Sequence, residues 1–94
     1  MGIEDVKKLK GLLLDDEGLI DVVRVALSNL FGEENVLWRR DGMCYDKGES
    51  RYCEVLYIVK ADSGCYKVIA VIDFDEFVVA DVRYEKVSPQ ICEL

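Results

Sequence analysis

Three short turn sequences divide the last two thirds of the chain, and they restrict its fold more than any other feature. They are KGES at 47–50, ADSG at 61–64 and FDEF at 74–77. The segments between them are rich in Val, Ile and Tyr, which favour strands. Connections this short join antiparallel neighbours. The sequence therefore predicts a four-stranded meander, with strands at 35–45, 51–60, 65–73 and 77–86.

Helical periodicity replaces this pattern in the first third of the chain. An apolar stripe with three- and four-residue spacing comprises Ile3, Val6, Leu9 and Leu13. A second stripe runs from Leu19 to Phe31, and the sequence DDEG at 15–18 separates the two. Asp15 or Asp16 is the expected N-cap of the second helix, because carboxylates are favoured at that position.

The two patterns together predict one α+β domain that covers residues 1–94. Helices at 2–14 and 16–31 pack on one face of the four-stranded antiparallel meander, and a tail follows at 87–94. The result is a two-layer sandwich.

The turns also predict which strand residues share a face. A three-residue loop, Asp62-Ser63-Gly64, places Ala61 opposite Cys65. The face toward the helices then comprises Val55, Tyr57, Val59, Ile69, Val71, Val78, Ala80 and Val82. The opposite face carries an apolar patch of Leu56, Ile58, Val68, Ala70 and Ile72, with Tyr66 at its rim.

An apolar patch of this kind usually marks an interface on a soluble protein. Two N-terminal helices cover one side of a sheet, so the patch predicts a homodimer formed through the second sheet face. The alternative is that the tail VSPQICEL at 87–94 folds back over the patch.

The stretch MCYDKGESRYC, 43–53, predicts a hairpin with a specific register. A type II′ turn with Gly48 in its first position pairs Asp46 with Arg51, Tyr45 with Tyr52, and Cys44 with Cys53. Cys44 and Cys53 then stand close enough for a disulfide. The alternative is a pair of reduced thiols. Cys65 and Cys92 are candidates for a second bridge, which no register supports. The facing of Trp38 and Arg40 stays open, because Gly42 indicates a bulge after them.

Metal chemistry has weak support in the sequence. The cysteines lack the paired spacing of zinc knuckles, and the chain contains no His. Asp73, Asp75 and Asp81 lie near one turn, where acid-rich strand ends bind Mg²⁺ in many nucleases. The predicted registers place Asp73 and Asp81 on opposite faces, and Arg83 stays protonated where a proton-shuttling Lys would be needed. Turn acids and a charged edge strand are the favoured interpretation.

The composition of the chain argues against several classes of function. Without His there is no Ser-His or Cys-His nucleophile pair, and no glycine-rich phosphate loop is present, so no cofactor is expected. The net charge of −7 disfavours nucleic acid, whose binding requires neutralised phosphates. No apolar run is long enough for a membrane span, and the first residues lack the apolar region of a secretory signal. A cytoplasmic location is expected.

The chain has no Thr, one Gln and many charged residues, a composition that resembles that of hyperthermophile proteins. Intracellular disulfides are ordinary in hyperthermophiles. The favoured function is a non-enzymatic interaction or regulatory module, a homodimer through its second sheet face, from a hyperthermophile or its virus. One alternative is a metal-dependent hydrolase or nuclease using Asp73, Asp75 and Asp81. The other is an acidic inhibitor that mimics nucleic acid.

Overall fold

A computed structural model describes residues 2–93 and confirms an α+β fold built on a four-stranded antiparallel meander. The strands are β1 (Val36–Lys47), β2 (Ser50–Ala61), β3 (Gly64–Asp73) and β4 (Val78–Lys86), in that spatial order. The helices are α1 (Val22–Phe31) and a short C-terminal α2 (Pro89–Cys92), with 3₁₀ helices at Ile3–Leu9 and Glu33–Asn35.

The β1–β2 hairpin has the register that its sequence predicts. Cys44 faces Cys53, Tyr45 faces Tyr52, Asp46 faces Arg51, and Lys47 faces Ser50. Gly48 has φ +65°, as the first position of a type II′ turn requires. The register shifts between Asp41 and Cys44, so the bulge indicated by Gly42 is present. Trp38 and Arg40 pair with Ile58 and Leu56 and therefore lie on one face, while Arg39 lies on the other.

The predicted β2–β3 register is wrong by one residue. The loop contains only Asp62 and Ser63, and Gly64 already pairs with Ala61 in the strand with φ +142°. Because side chains alternate along a strand, this slip moves every residue of β3 to the other face. Val68, Ala70 and Ile72 consequently face the helices, and Ile69 and Val71 face away.

The β3–β4 connection follows the prediction only near the turn. Asp73 pairs with Val78 and Ile72 with Val79, as a two-residue Asp75-Glu76 turn implies. A bulge then shifts the register, so that Val71 pairs with Asp81. Val79 faces the core as a result, in place of the predicted Val78 and Ala80, while Val82 lies in the core as predicted.

The first predicted α-helix is also wrong, because residues Ile3–Leu9 form a 3₁₀ helix. Its buried residues, Ile3, Val6 and Leu9, recur every third position, which matches the three residues per turn of a 3₁₀ helix. Gly11 then turns the chain, and Leu13 pairs with Val78 at the outer edge of β4.

The second predicted helix begins six residues later than expected, at Val22 rather than 16. The Asp15 carboxylate accepts the backbone N–H groups of Glu17, Leu19 and Ile20, so these residues form a closed loop instead of a first helical turn. Asp21 is the N-cap and accepts the N–H of Arg24 over 3.0 Å. Val23 and Leu27 are the buried residues of α1.

The core lies between the sheet and the layer formed by α1 and the first 3₁₀ helix. It comprises Ile3, Val6, Leu9, Val23, Leu27, Val36, Val55, Tyr57, Val59, Tyr66, Val68, Ala70, Ile72, Val79 and Val82. The opposite side of the sheet, called the open face below, has no helical layer along most of its length within the described residues.

Two disulfides complete the fold. Cys44–Cys53 closes the hairpin with Cα atoms 4.0 Å apart, which confirms the predicted bridge. Cys65–Cys92 joins the tail to the start of β3 with Cα atoms 5.9 Å apart. Pro89 occupies the first turn of α2, and Ser88 caps it. Within residues 2–93, no helix is both long and apolar enough to cross a membrane.

Candidate functional site

The open face combines an aliphatic centre with aromatic and charged surroundings. The registers place on it Trp38, Arg40, Tyr45, Tyr52, Glu54, Leu56, Ile58, Lys67, Ile69, Val71, Asp81, Arg83 and Glu85. Aromatic residues and Arg are enriched in protein interfaces relative to other surfaces. The residue types of this face therefore fit a contact surface.

Charged side chains cover most of the aliphatic centre. Ile58, Ile69 and Val71 are only 2–6% exposed, although none of the helices within residues 2–93 lies over the middle of this face. Two ion pairs cross between strands there: Lys67 to Glu85 at 2.7 Å and Arg83 to Glu54 at 2.9 Å. Long charged side chains bury apolar surface under their stems while their charges stay in water. The apolar residues at the centre of the open face are therefore largely shielded from water, and this face is not an exposed apolar patch.

Arg40 and two tyrosines form the more accessible part of the open face. The Arg40 guanidinium lies 5.4 Å from the centre of the Trp38 ring, within the range of a cation–π contact. The Tyr45 and Tyr52 rings stack with centroids 5.7 Å apart. A hollow of about 480 Å³ lies beside them, lined also by residues of β4 such as Arg83.

The structure brings together only part of the predicted interface. Leu56 and Ile58 lie on the open face, as predicted. Tyr66, Val68, Ala70 and Ile72 belong to the core instead, because the one-residue slip turns them toward the helices. Ile69 and Val71 take their places. The predicted dimer surface therefore keeps its location but changes most of its residues.

The tail covers one end of the open face. Cys65 lies on this face, and its disulfide with Cys92 holds α2 beside Lys60 and Gly64. The Cys92 sulfur also lies 3.8 Å from the Val59 carbonyl oxygen. Tyr45 and Tyr52 lie at the opposite end of the open face, near the start of β2 and away from the tail.

The predicted metal residues do not form a ligand group. Asp73 is 8% exposed, and its carboxylate accepts the N–H groups of Asp75 and Glu76, which fixes the turn. The β3–β4 bulge places Asp81 on the same face as Asp73, contrary to the predicted registers. Within residues 2–93, no group of three or more Asp, Glu, Cys or His side chains gathers around a possible metal position.

A second candidate surface is a cleft on the helical side of the sheet. Its floor holds a polar trio, in which the Tyr57 hydroxyl donates to Asp21 Oδ1 over 2.9 Å. Arg39 Nε lies 3.5 Å from Asp21 Oδ2, and Arg39 Nη2 lies 3.1 Å from Asp41 Oδ1. Asp21 thus anchors α1, β1 and β2 at once. The sequence signal for its capping role is its position within the second stripe, directly before the adjacent apolar residues Val22 and Val23.

Burial raises the pKa of the Tyr57 phenol above its ordinary value, and the Asp21 carboxylate raises it further. Arg39 opposes this shift because it favours the phenolate. Tyr57 therefore keeps its proton at neutral pH, where it donates a hydrogen bond rather than acting as a base.

The Tyr57 shift predicts a loss of stability in alkali. The unfolded chain ionises this tyrosine from about pH 10, while the folded chain retains the proton, so the free energy of unfolding falls as the pH rises beyond that point. Tyr57→Phe removes this contribution to the alkaline slope. It also costs about 1 kcal/mol at neutral pH, because Asp21 loses a hydrogen bond. Urea unfolding across the alkaline range measures both effects.

Val59→Ala provides the control for this experiment, since Val59 is a buried residue of the same strand without an ionisable group. We expect Val59→Ala to lower the free energy of unfolding but to leave its alkaline slope as it is in the unsubstituted protein. An unchanged slope in Tyr57→Phe would contradict the assignment.

Several residues of these surfaces were not predicted. Trp38 and Arg40 had no assigned face, because the bulge at Gly42 interrupts the alternation of β1 side chains between the two faces of the sheet. The contact between Asp21 and Tyr57 joins positions 36 residues apart, which no local pattern reports. Comparisons of the chain with protein-family models, curated proteins and solved structures gave no match.

Proposed function

We propose that the protein is a non-enzymatic interaction module that works as a homodimer through its open face. The observation that carries this proposal is a sheet face without a helical layer that presents Trp, Tyr and Arg side chains around an aliphatic centre. In such a dimer, the exposed Tyr45 is the expected anchor, because Tyr and Arg residues dominate the binding energy of many interfaces.

The size of the molecule is compatible with this assembly. Its principal extents are 39 × 21 × 21 Å. Specific interfaces bury roughly 800 Å² per partner. A contact of that size would use most of the long face of the protein, so the hollow beside Tyr45 and Tyr52 would be filled by the second copy.

The ion pairs on the open face support a reversible contact. Arg83 and Glu54 have side chains that are 51% and 22% exposed, so they form part of a polar surround rather than a buried pair. Polar groups at the rim set orientation and association rate more than affinity. We therefore expect a dimer whose formation depends on both protein concentration and salt.

Sedimentation equilibrium at tens of micromolar protein tests the proposal. The unsubstituted chain is expected to sediment as a dimer, and Tyr45→Glu to shift it to monomer, with an increase in dissociation constant of at least about tenfold, the effect of a typical hot spot. Leu19→Glu is the matched control, because Leu19 is 79% exposed on the loop of the helical side. A monomer at this concentration, or an equal effect of the two substitutions, would exclude the open face as the dimer interface.

A further inference from the structure

Five exposed apolar residues lie on two segments, 13–20 and 74–77, that are hydrogen-bonded to each other beside the β3–β4 turn. We call this surface the apolar end: Leu13 (72% exposed), Leu19 (79%), Ile20 (60%), Phe74 (42%) and Phe77 (37%). The Leu14 N–H donates to the Phe77 carbonyl oxygen over 2.8 Å, which joins the two segments that carry these residues. Monomeric soluble proteins rarely expose apolar residues in contiguous groups without a function.

The cleft that holds Tyr57, Asp21 and Arg39 opens at the apolar end, with a volume of about 190 Å³. Its remaining lining is largely apolar and includes Leu14, Ile20, Val55, Ile72 and Phe74. The polar trio is satisfied by its own hydrogen bond and ion pair. The apolar part of the lining therefore offers a recess for an apolar side chain of a partner.

The backbone of the apolar end is held in place. The Asp15 carboxylate accepts the N–H groups of Leu19 and Ile20, both over 3.0 Å. The Asp73 carboxylate fixes the β3–β4 turn in the same manner. Phe77 has φ +52°, a left-handed conformation that is uncommon for a residue with a side chain. Its ring meets the Phe74 ring edge to face at 6.2 Å.

Acidic residues lie between the apolar residues along both segments of the apolar end. Asp15, Asp16 and Glu17 follow Leu14, while Asp75 and Glu76 separate Phe74 from Phe77. No ion pair compensates any of these five residues among residues 2–93. The cation in the cleft, Arg39, is already paired with Asp21 and Asp41. We call these five acids the acidic rim, because they bring negative charge next to the exposed apolar residues in both segments.

We infer that the apolar end docks a basic amphipathic segment of a partner protein, which inserts an apolar side chain into the cleft and places Lys or Arg against the acidic rim. Charge complementarity identifies this partner. Anionic membranes and nucleic acids would be repelled by the same rim, because both present negative charge. The inference does not depend on the homodimer, because none of the five apolar residues belongs to the open face.

Fluorescence anisotropy with two synthetic peptides tests the inference on the intact, oxidised protein. The probe is a labelled amphipathic helix of Leu and Lys, and its twin carries Glu at each Lys position. We expect the Lys peptide to bind, with affinity that falls as salt screens the rim, and the Glu twin not to bind. Equal binding of both peptides, or binding of neither, would overturn the inference.

Paired variants locate the peptide on the protein. Leu19→Ser and Ile20→Ser are each expected to weaken binding at least about fivefold, the effect of losing an interface anchor. Asp16→Lys/Glu17→Lys is expected to abolish most of the salt-dependent affinity. Its control, Glu33→Lys/Glu34→Lys, makes the same change in net charge at an exposed acidic pair after α1 and should bind like the unsubstituted protein.

Two further outcomes would contradict the inference that the apolar end is the docking site. If Glu33→Lys/Glu34→Lys weakens binding as much as Asp16→Lys/Glu17→Lys, the attraction is a property of the net charge and the inference is wrong. If Leu19→Ser keeps full peptide affinity but loses binding to zwitterionic lipid vesicles, the exposed residues serve a membrane instead. Tyr45→Glu should bind the peptide normally, which separates this result from a failure of the homodimer.

Discussion

Replacing Cys65 and Cys92 together by alanine is expected to lower the free energy of unfolding by about 3 to 4 kcal/mol. The bridge joins positions 27 residues apart, and a closed loop of that length removes this much conformational entropy from the unfolded chain. The substitution also releases α2 from the end of the open face. The melting temperature of the oxidised protein should fall by roughly 15 to 25 °C.

The hairpin disulfide provides a matched comparison. Cys44 and Cys53 are only 9 positions apart, so their double replacement by alanine should cost less, about 2 to 3 kcal/mol. Thermal and urea unfolding of both double variants, with and without reductant, measures the two contributions separately. A larger cost for the hairpin pair than for the tail pair would contradict the loop-closure argument.

The hairpin was predictable from sequence because several local signals agree. Gly48 permits the positive φ of a type II′ turn, and the resulting register pairs Tyr45 with Tyr52 and Asp46 with Arg51. A slip of one residue would lose all these pairs at once. Local turn chemistry and cross-strand pairing therefore determine this register, and the disulfide follows from it.

The N-terminal prediction failed because the same spacing suits two helices. Ile3, Val6 and Leu9 lie three residues apart, which satisfies one face of an α-helix and also the period of a 3₁₀ helix. The 3₁₀ segment is also held against β4, where the Lys7 ammonium donates to the Val82 carbonyl oxygen over 2.6 Å. These positions are 75 residues apart, so the sequence pattern does not contain this contact.

The candidate site was predictable in location but not in composition. An antiparallel sheet with helices on one side leaves the other side open, and Leu56 and Ile58 were assigned to it correctly. The residues contributed by β3 were not, because β3 is apolar on both faces. Alternating polarity normally fixes register, and a strand without it leaves the choice to the turn.

The β3 register predicts the largest effects of substitution. Val68 is fully buried on the helical side, between Tyr57 and Tyr84 of the neighbouring strands. Val68→Lys places an ammonium in this core, which is expected to cost about 4 kcal/mol or more and to unfold much of the protein. Val71→Lys makes the same change on the open face, directly across from Asp81.

Val71 is itself only 6% exposed, so present exposure alone does not distinguish the two sites. On the open face, however, a Lys stem can cover Ile69 while its charge reaches water near Asp81, and the expected cost is about 1 to 2 kcal/mol. Urea unfolding followed by circular dichroism measures both, and Val68→Ala and Val71→Ala separate lost packing from added charge. With a three-residue Asp62-Ser63-Gly64 loop the order of the two Lys variants would be reversed, because Val71 would face the helices and Val68 the solvent.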